Sequence, residues 1–188
     1  MFVYSSHVNY RGIMNGQMRL SRVSASTPRM ERALPGMPMD GTAMVRVLRI
    51  AQFGLGSFFE PVFRSLDLTE NSFHVLCLLI ANDSGAASPS ELAEMVGTSR
   101  ANMTRILEEL AEDGWIDRTI AARDGRRQVI SITAAGRRKV RDTVPRIADP
   151  IRRAFSDLSD DEMALLDKLL RKLIKSFDKG AGDMRAVA

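Results

Sequence analysis

Residues 88–139 read SPSELAEMVGTSRANMTRILEELAEDGWIDRTIAARDGRRQVISITAAGRRK, and three changes of pattern run through them. Ser88-Pro89-Ser90-Glu91 sets a capping serine before a proline at the first helical position, with a glutamate three residues after the cap. That is a strong helix start. Gly97 ends this short helix near Val96, and Thr98 or Ser99 caps a second one over about Arg100 to Glu112. In the second helix Met103, Ile106, Leu107 and Leu110 recur at helical spacing and face inward. A short helix, a Gly-containing turn and another helix make a helix-turn-helix. The period then changes from helical to extended. Trp115 to Ile120 and Gln128 to Ile132 are rich in β-formers, and the Asp124-Gly125 pair between them is a hairpin signal. Two strands directly after a helix-turn-helix form a wing.

The charges of this stretch are placed unevenly. The second helix opens with Ser99, Arg100, Ala101, Asn102, Thr104 and Arg105 and closes with Glu108, Glu109, Glu112 and Asp113. A helix that meets DNA end-on needs that asymmetry, because its first turn offers free N–H groups and a positive dipole end to phosphate. Arginine can pair bidentately with guanine and asparagine with adenine. Arg123, Arg126 and Arg127 cluster at the tip of the hairpin. An arginine-rich turn is also what a solvated loop looks like, and helix-turn-helix shapes also mediate protein contacts. It is the joint occurrence of capped helix, polar second helix and basic hairpin that points to DNA.

Outward from this core the chain stays helical. From Thr42, Val45, Leu48, Leu55, Phe58, Phe59 and Val62 recur at spacings of three and four, with Pro61 expected to end or kink the helix. Thr69 caps a helix whose apolar residues Phe73, Val75, Leu76, Leu78, Leu79 and Ile80 nearly encircle it, so it should be buried. After the wing, Thr133 restarts helix through Val140, Val144, Ile147, Ile151 and Phe155, and Pro145 and Pro150 predict a kink or break. Ser159-Asp160-Asp161-Glu162 is a further capping box, opening a helix with Met163, Leu166, Leu170, Leu173 and Phe177, and Lys172, Lys175 and Lys179 crowd its end.

Residues 88–139 resemble the winged helix of the MarR family of bacterial transcription regulators. RDGRRQVISITAAGRR is similar to the family's wing signature, an Asp-x-Arg at the hairpin followed by Leu-Thr-x-x-Gly. Asp124 and Arg126 match the first part, and Ile132, Thr133 and Gly136 the second, with Ile in place of Leu. The flanking helices extend the resemblance to about residues 42–178. It implies a mainly α (α+β) fold, a winged helix-turn-helix lobe joined to a helical dimerisation region built from the N- and C-terminal helices. It implies a homodimer on a palindromic operator in double-stranded DNA. Ser99 to Arg105 then supply the base- and phosphate-facing segment, Arg126 enters the minor groove, and Asp124 orients that arginine. Pattern and resemblance together give a flexible extension (1–40), an N-terminal dimerisation helix (41–66), the DNA-binding lobe (67–139), C-terminal dimerisation helices (140–179) and a tail (180–188). The prolines at 145 and 150 and the extension before Thr42 depart from the usual pattern.

The family often takes small aromatic or anionic effectors between the dimer region and the lobe. Phe58, Phe59, Phe63, Arg64, Phe73 and His74 lie on the helices the resemblance places there and could line an apolar cleft with a few polar groups. The same phenylalanines also read as ordinary core. Cys77 sits between Leu76 and Leu78 with no basic neighbour, which fits a structural thiol rather than a redox switch.

Composition agrees with this reading. The chain has 188 residues, 45% hydrophobic and 27% charged, enough to bury a core and too apolar for wholesale disorder. One cysteine and two histidines exclude a disulfide framework and supply metal chemistry poorly, so no cofactor or metal is expected. No apolar run reaches membrane-spanning length and no secretory signal is expected, which fits a reducing, cytoplasmic setting. Residues 1–39 carry five arginines against the single Glu31, and this accounts for the chain's entire formal charge of +4. That segment reads as a flexible arm, with an Arg- and Ser-rich transit peptide or a later starting methionine as the other readings. No nucleophile, base and orienting group come together and no Gly-rich phosphate loop appears, so the chain is not expected to be an enzyme. The expectation is a ligand-responsive repressor. The alternative is a winged-helix module that binds protein, and salt would separate the two, because DNA binding falls steeply with salt.

Overall fold

The structure, a computed structural model, describes residues 15–120 and 128–187, with side chains through Gly180. In chain order the elements are α1 (Gly16–Ala33), α2 (Met39–Arg64), α3 (Glu70–Ala81), β1 (Ala86–Ala87), α4 (Pro89–Val96), α5 (Arg100–Glu112), β2 (Ile116–Ile120), β3 (Gln128–Ile132), α6 (Ala134–Ala154) and α7 (Asp160–Val187). They fall into two compact units that part between Ser65 and Leu66.

The first unit is a helical pair, α1 packed on α2. Residues 16–33 belong to the segment that reads from sequence as an irregular arm, and the structure corrects that reading. Asn15 caps the helix by accepting from the Met18 N–H at 2.9 Å. Ser21, Ser26 and Thr27 donate their hydroxyls to carbonyls four residues back, so these polar side chains follow the helix instead of breaking it. Three contacts supply what apolar periodicity does not. Val23 is buried, Arg19 stacks 4.1 Å over the Phe53 ring, and Arg46 reaches Met30 Sδ. α2 begins a turn before Thr42 and runs through Pro61 to Arg64, so that proline neither ends nor interrupts it.

The second unit is a mainly α winged helix around a small antiparallel sheet of order β1-β3-β2. β2 and β3 pair from Ile116↔Ile132 out to Ile120↔Gln128, and Ala86 and Ala87 pair with Ser131 and Ile130. Val75, Leu76 and Leu79 of α3 meet Leu92 of α4, Ile106 of α5 and Ile130 of β3 in a core where each is fully buried. Each such side chain contributes about 1.5–3 kcal/mol. α3 opens with a reciprocal cap between Thr69 and Ser72. Its burial is one-sided rather than complete. Phe73, Cys77 and Leu78 are half-buried and Ile80 is exposed, because α4, α5, α6 and β3 all pack on the opposite side.

In the C-terminal helices the expected break and the expected helix end need correction. α6 runs unbroken from Ala134 to Ala154 through Pro145 and Pro150. Each proline lacks an N–H and so leaves one carbonyl, of Arg141 or Arg146, without its helical donor. Both of those residues are exposed, so water can serve them, while Val140, Thr143 and Ile147 hold the opposite face in the core. α7 starts on its capping box, with Ser159 N–H donating to Glu162 Oε2 at 2.9 Å and Ser159 Oγ–H to the same oxygen at 3.0 Å, and these two bonds hold the Glu162 carboxyl below the usual range. It then continues through Gly180 to Val187, so Lys172, Lys175 and Lys179 lie within the helix and not at its end.

Candidate nucleic-acid interface

The helix-turn-helix is built by its caps. Ser88 Oγ accepts from the Glu91 N–H, and Glu91 Oε2 accepts from the Ser88 N–H at 2.8 Å. α4 stops at Gly97, whose φ of 73° is a left-handed conformation that glycine takes without strain. Gly97 and Thr98 donate back to Ala93, closing the turn within two residues of the next helix. Ser99 then caps α5 by accepting from the Asn102 N–H at 3.2 Å.

α5 divides cleanly. Met103, Ile106, Leu107 and Leu110 are at most 1% exposed, which fixes the rotation of the helix. That rotation leaves Arg100, Ala101, Thr104 and Arg105 exposed and Asn102 half-buried. The polar side chains are tied into a chain. Asn102 Nδ2 donates to Thr98 Oγ1 at 2.8 Å, Arg105 Nη2 donates to Asn102 Oδ1 at 3.0 Å, and Arg105 also pairs with Glu109. Thr104 donates to the Arg100 carbonyl. Those two bonds use one of the two Nδ2 hydrogens and one of the two Oδ1 lone pairs of Asn102, which leaves one donor and one acceptor, the pair a bidentate contact to adenine takes. Arg105 spends two of its five N–H groups on Asn102 and Glu109, and the exposed Glu109 carboxylate competes with a phosphate for the rest of its charge. Sequence reasoning misses the roles of Thr98 and Glu109, although both stand at the i, i±4 spacing that signals such pairs.

β2 and β3 form the root of the wing. Arg118 on β2 is exposed and donates to Gln128 Oε1, and sequence reasoning misses it too. Arg123, Asp124, Arg126 and Arg127 lie outside the described residues. The base of the hairpin is locked at one junction. Thr133 caps α6 by accepting from the Gly136 N–H at 3.0 Å, donates its hydroxyl to the Gly114 carbonyl at 2.8 Å, and donates its N–H to the Trp115 carbonyl at 3.0 Å. A Cβ at Gly136 would collide with that same Trp115 carbonyl. Threonine followed three residues later by glycine is therefore what lets α6 sit against the α5–β2 turn. Lys139 adds a second tie, donating to the Leu66 carbonyl at 2.7 Å with its ammonium 4.5 Å over the Trp115 ring.

The candidate effector residues divide between the two units. On α2, Phe58 and Phe59 meet edge to face at 5.1 Å, Phe59 and Phe63 are buried, and Arg64 pairs with Glu60. On α3, Phe73 is half-buried and His74 is exposed. Cys77 is half-buried, and burial pushes its thiol up from the ordinary range. Among the described residues no cluster of three or more His, Cys, Asp or Glu could hold a metal ion, and no helix is long and apolar enough to cross a membrane.

Comparison with known proteins places these features. A family model described as "MarR family" matches residues 68–127. The chain is 30% identical over 120 residues to the transcriptional repressor MprA of Escherichia coli, an alignment covering 64% of this chain and 68% of that protein. Its fold is similar to that of a mutant MarR from E. coli complexed with operator DNA, with a TM-score of 0.64 at 22% identity over 77% of this chain and 96% of the other. It is also similar to BpsR of Bordetella bronchiseptica, whose DNA binding is regulated by 6-hydroxynicotinic acid, with a TM-score of 0.63 at 25% identity over 69% and 97% of the two chains.

Proposed function

This chain belongs to the MarR family, and we propose that it acts as a ligand-responsive repressor that grips a palindromic operator as a homodimer. It is a DNA-binding transcriptional regulator and not an enzyme. The observation that carries the finer reading is the rotation of α5. Four buried apolar side chains hold it so that Arg100, Ala101, Thr104 and Arg105 face outward beside Ser99 and Asn102. Arginines on phosphate supply affinity, and the first turns of α5 supply base discrimination. Arg123, Arg126 and Arg127 extend the grip into a neighbouring groove, with Asp124 orienting Arg126.

The dimer reading, with residues 41–66 and 140–179 as its interface, is supported by apolar surface that a lone chain leaves wet. α7 exposes Leu165, Leu166, Leu169, Leu170, Ile174 and Phe177. A two-fold partner covering that face would present two recognition helices to the two halves of a palindrome. The effector is a small aromatic or anionic molecule, the chemistry to which BpsR responds, and the side chains the resemblance offers it are Phe58, Phe59, Phe63 and Arg64 in the first unit and Phe73 and His74 in the second. It acts by favouring one spacing of the two lobes. A cytoplasmic, nucleoid-associated setting belongs to the same proposal.

The test is a mobility-shift assay on the gene's own upstream region, repeated with aromatic carboxylic acids that include 6-hydroxynicotinic acid. A shifted band that retreats with an acid supports the reading. A wild-type chain that shifts no duplex even at low salt overturns it.

A further inference from the structure

The winged helix leaves the whole of the chain's net charge unused. Residues 88–139 explain the arginines of α5 and the wing, yet those are balanced by acids elsewhere, and the formal +4 resides entirely in the first 39 residues. The structure arranges much of that charge. Arg19, Arg22, Arg29 and Arg32 all lie on α1, a helix outside residues 68–127 where the family model matches. Arg19 is engaged with Phe53, while Arg22, Arg29 and Arg32 are exposed and enter no ion pair among the described residues.

Their spacing makes a stripe. At 3.6 residues per turn the three fall within an arc of about 80°, and Glu31 stands about 160° from Arg29 on the far side of the helix. The small Ala25 lies between Arg22 and Arg29 and Met18 extends the same face before Arg22, so no acid interrupts the stripe. It lies off the face that packs on α2, where Val23 is buried. From Arg22 to Arg32 it runs about 15 Å along the axis. One DNA strand presents a phosphate every ~3.4 Å of its axis, so the stripe spans about four of them. All three cations are arginines, whose planar forks match phosphate better than an ammonium does.

We propose that α1 is a second, sequence-independent contact to duplex DNA, made by Arg22, Arg29 and Arg32 against the phosphate backbone. The proposal rests on the DNA-binding reading above and adds a surface to it. An anionic membrane is the competing partner, and the helix is built poorly for it. A surface-seeking helix needs a wide face of large apolar residues, whereas α1 turns its apolar side to α2 and surrounds the stripe with Ser21 and Ser24.

The experiment compares the full-length wild type with the triple variant Arg22→Gln, Arg29→Gln, Arg32→Gln. Binding to the upstream duplex and to a scrambled duplex of equal length is followed between about 50 and 200 mM salt. Glutamine keeps the helix propensity of arginine, so circular dichroism and melting should not change. The slope of log K against log salt should shrink by up to about 2.7 per chain, three contacts at ~0.9 each. Affinity should fall by the same factor on both duplexes, leaving the preference between them intact, and the matching triple lysine variant should restore the slope. An unchanged slope in the glutamine variant overturns the contact while leaving the winged helix in place. Loss of binding to phosphatidylglycerol-rich vesicles with the DNA slope intact assigns the stripe to a membrane and also overturns it. Failure of the wild type to bind either duplex would instead sink the DNA-binding reading itself.

Discussion

Replacing Gly136 by alanine tests the junction that sets the wing. In an open helix this change stabilises, because alanine is favoured over glycine by about 1 kcal/mol. At Gly136 the structure reverses the sign. The added Cβ would run into the Trp115 carbonyl oxygen, far inside an ordinary C···O approach of about 3.3 Å, and come 3.0 Å from Ile132 Cγ1, inside the ~3.5–4.0 Å of a carbon pair. The obstacle is backbone, and it is pinned. The Trp115 carbonyl accepts from the Thr133 N–H, the Trp115 N–H donates to Leu110, and Thr133 holds Gly114. Relief requires moving α6 away from the α5–β2 turn, which weakens two hydrogen bonds of about 1 kcal/mol each and adds overpacking of about 2 kcal/mol. Set against the helix gain, the net loss is about 3 kcal/mol, or about 6–12 °C in melting temperature for a chain of this size. Calorimetry of the purified protein reads it, with Gly54→Ala as the contrast. A Cβ at Gly54 meets nothing within 4 Å, so that variant should gain up to about 1 kcal/mol. A Gly136→Ala protein as stable as the wild type would refute the argument.

Arg126→Ala should weaken operator binding by more than about tenfold, roughly 1.4 kcal/mol, with melting unchanged; unaltered binding would remove the wing from the mechanism. Cys77 should react slowly with iodoacetamide at neutral pH, its rate rising only above the range of an ordinary thiol, since burial favours the protonated form. The linkage has a definite sign. With the folded pKa above the unfolded one, this group's contribution to stability is complete below the unfolded value and declines as pH rises through the folded one. Fast alkylation at neutral pH would show that Cys77 is a low-pKa, reactive thiol instead.

Much of the second unit is legible in the sequence because its signals are local. Ser88 and Glu91 announce their helix, Gly97 its end, and the burial of Met103, Ile106, Leu107 and Leu110 follows their spacing. β1 has no such signal. Two alanines do not favour a strand, and only the partner strand β3 makes Ala86 and Ala87 extended. α1 escapes for a related reason. Its stability draws on Phe53 and Arg46, far along the chain, while its own composition of serines, arginines and a proline suggests a coil. Pro61, Pro145 and Pro150 do not end or break their helices, because one lost hydrogen bond at an exposed turn does not outweigh a face packed in the core. At the interface the outward residues of α5 follow from its apolar spacing, but the links from Thr98 through Asn102 and Arg105 to Glu109 do not. They depend on which rotamers the turn permits.

The most direct trial of the whole account is a base-by-base affinity profile of the upstream duplex for the wild type, Arg100→Ala and Asn102→Ala. The wild type should lose about 1–3 kcal/mol at particular base pairs in each half-site, and each variant should flatten the profile at one of those positions while keeping it elsewhere. Variants that weaken every duplex by the same factor would mean that the front of α5 touches only phosphate, and would contradict the assignment of base recognition to it.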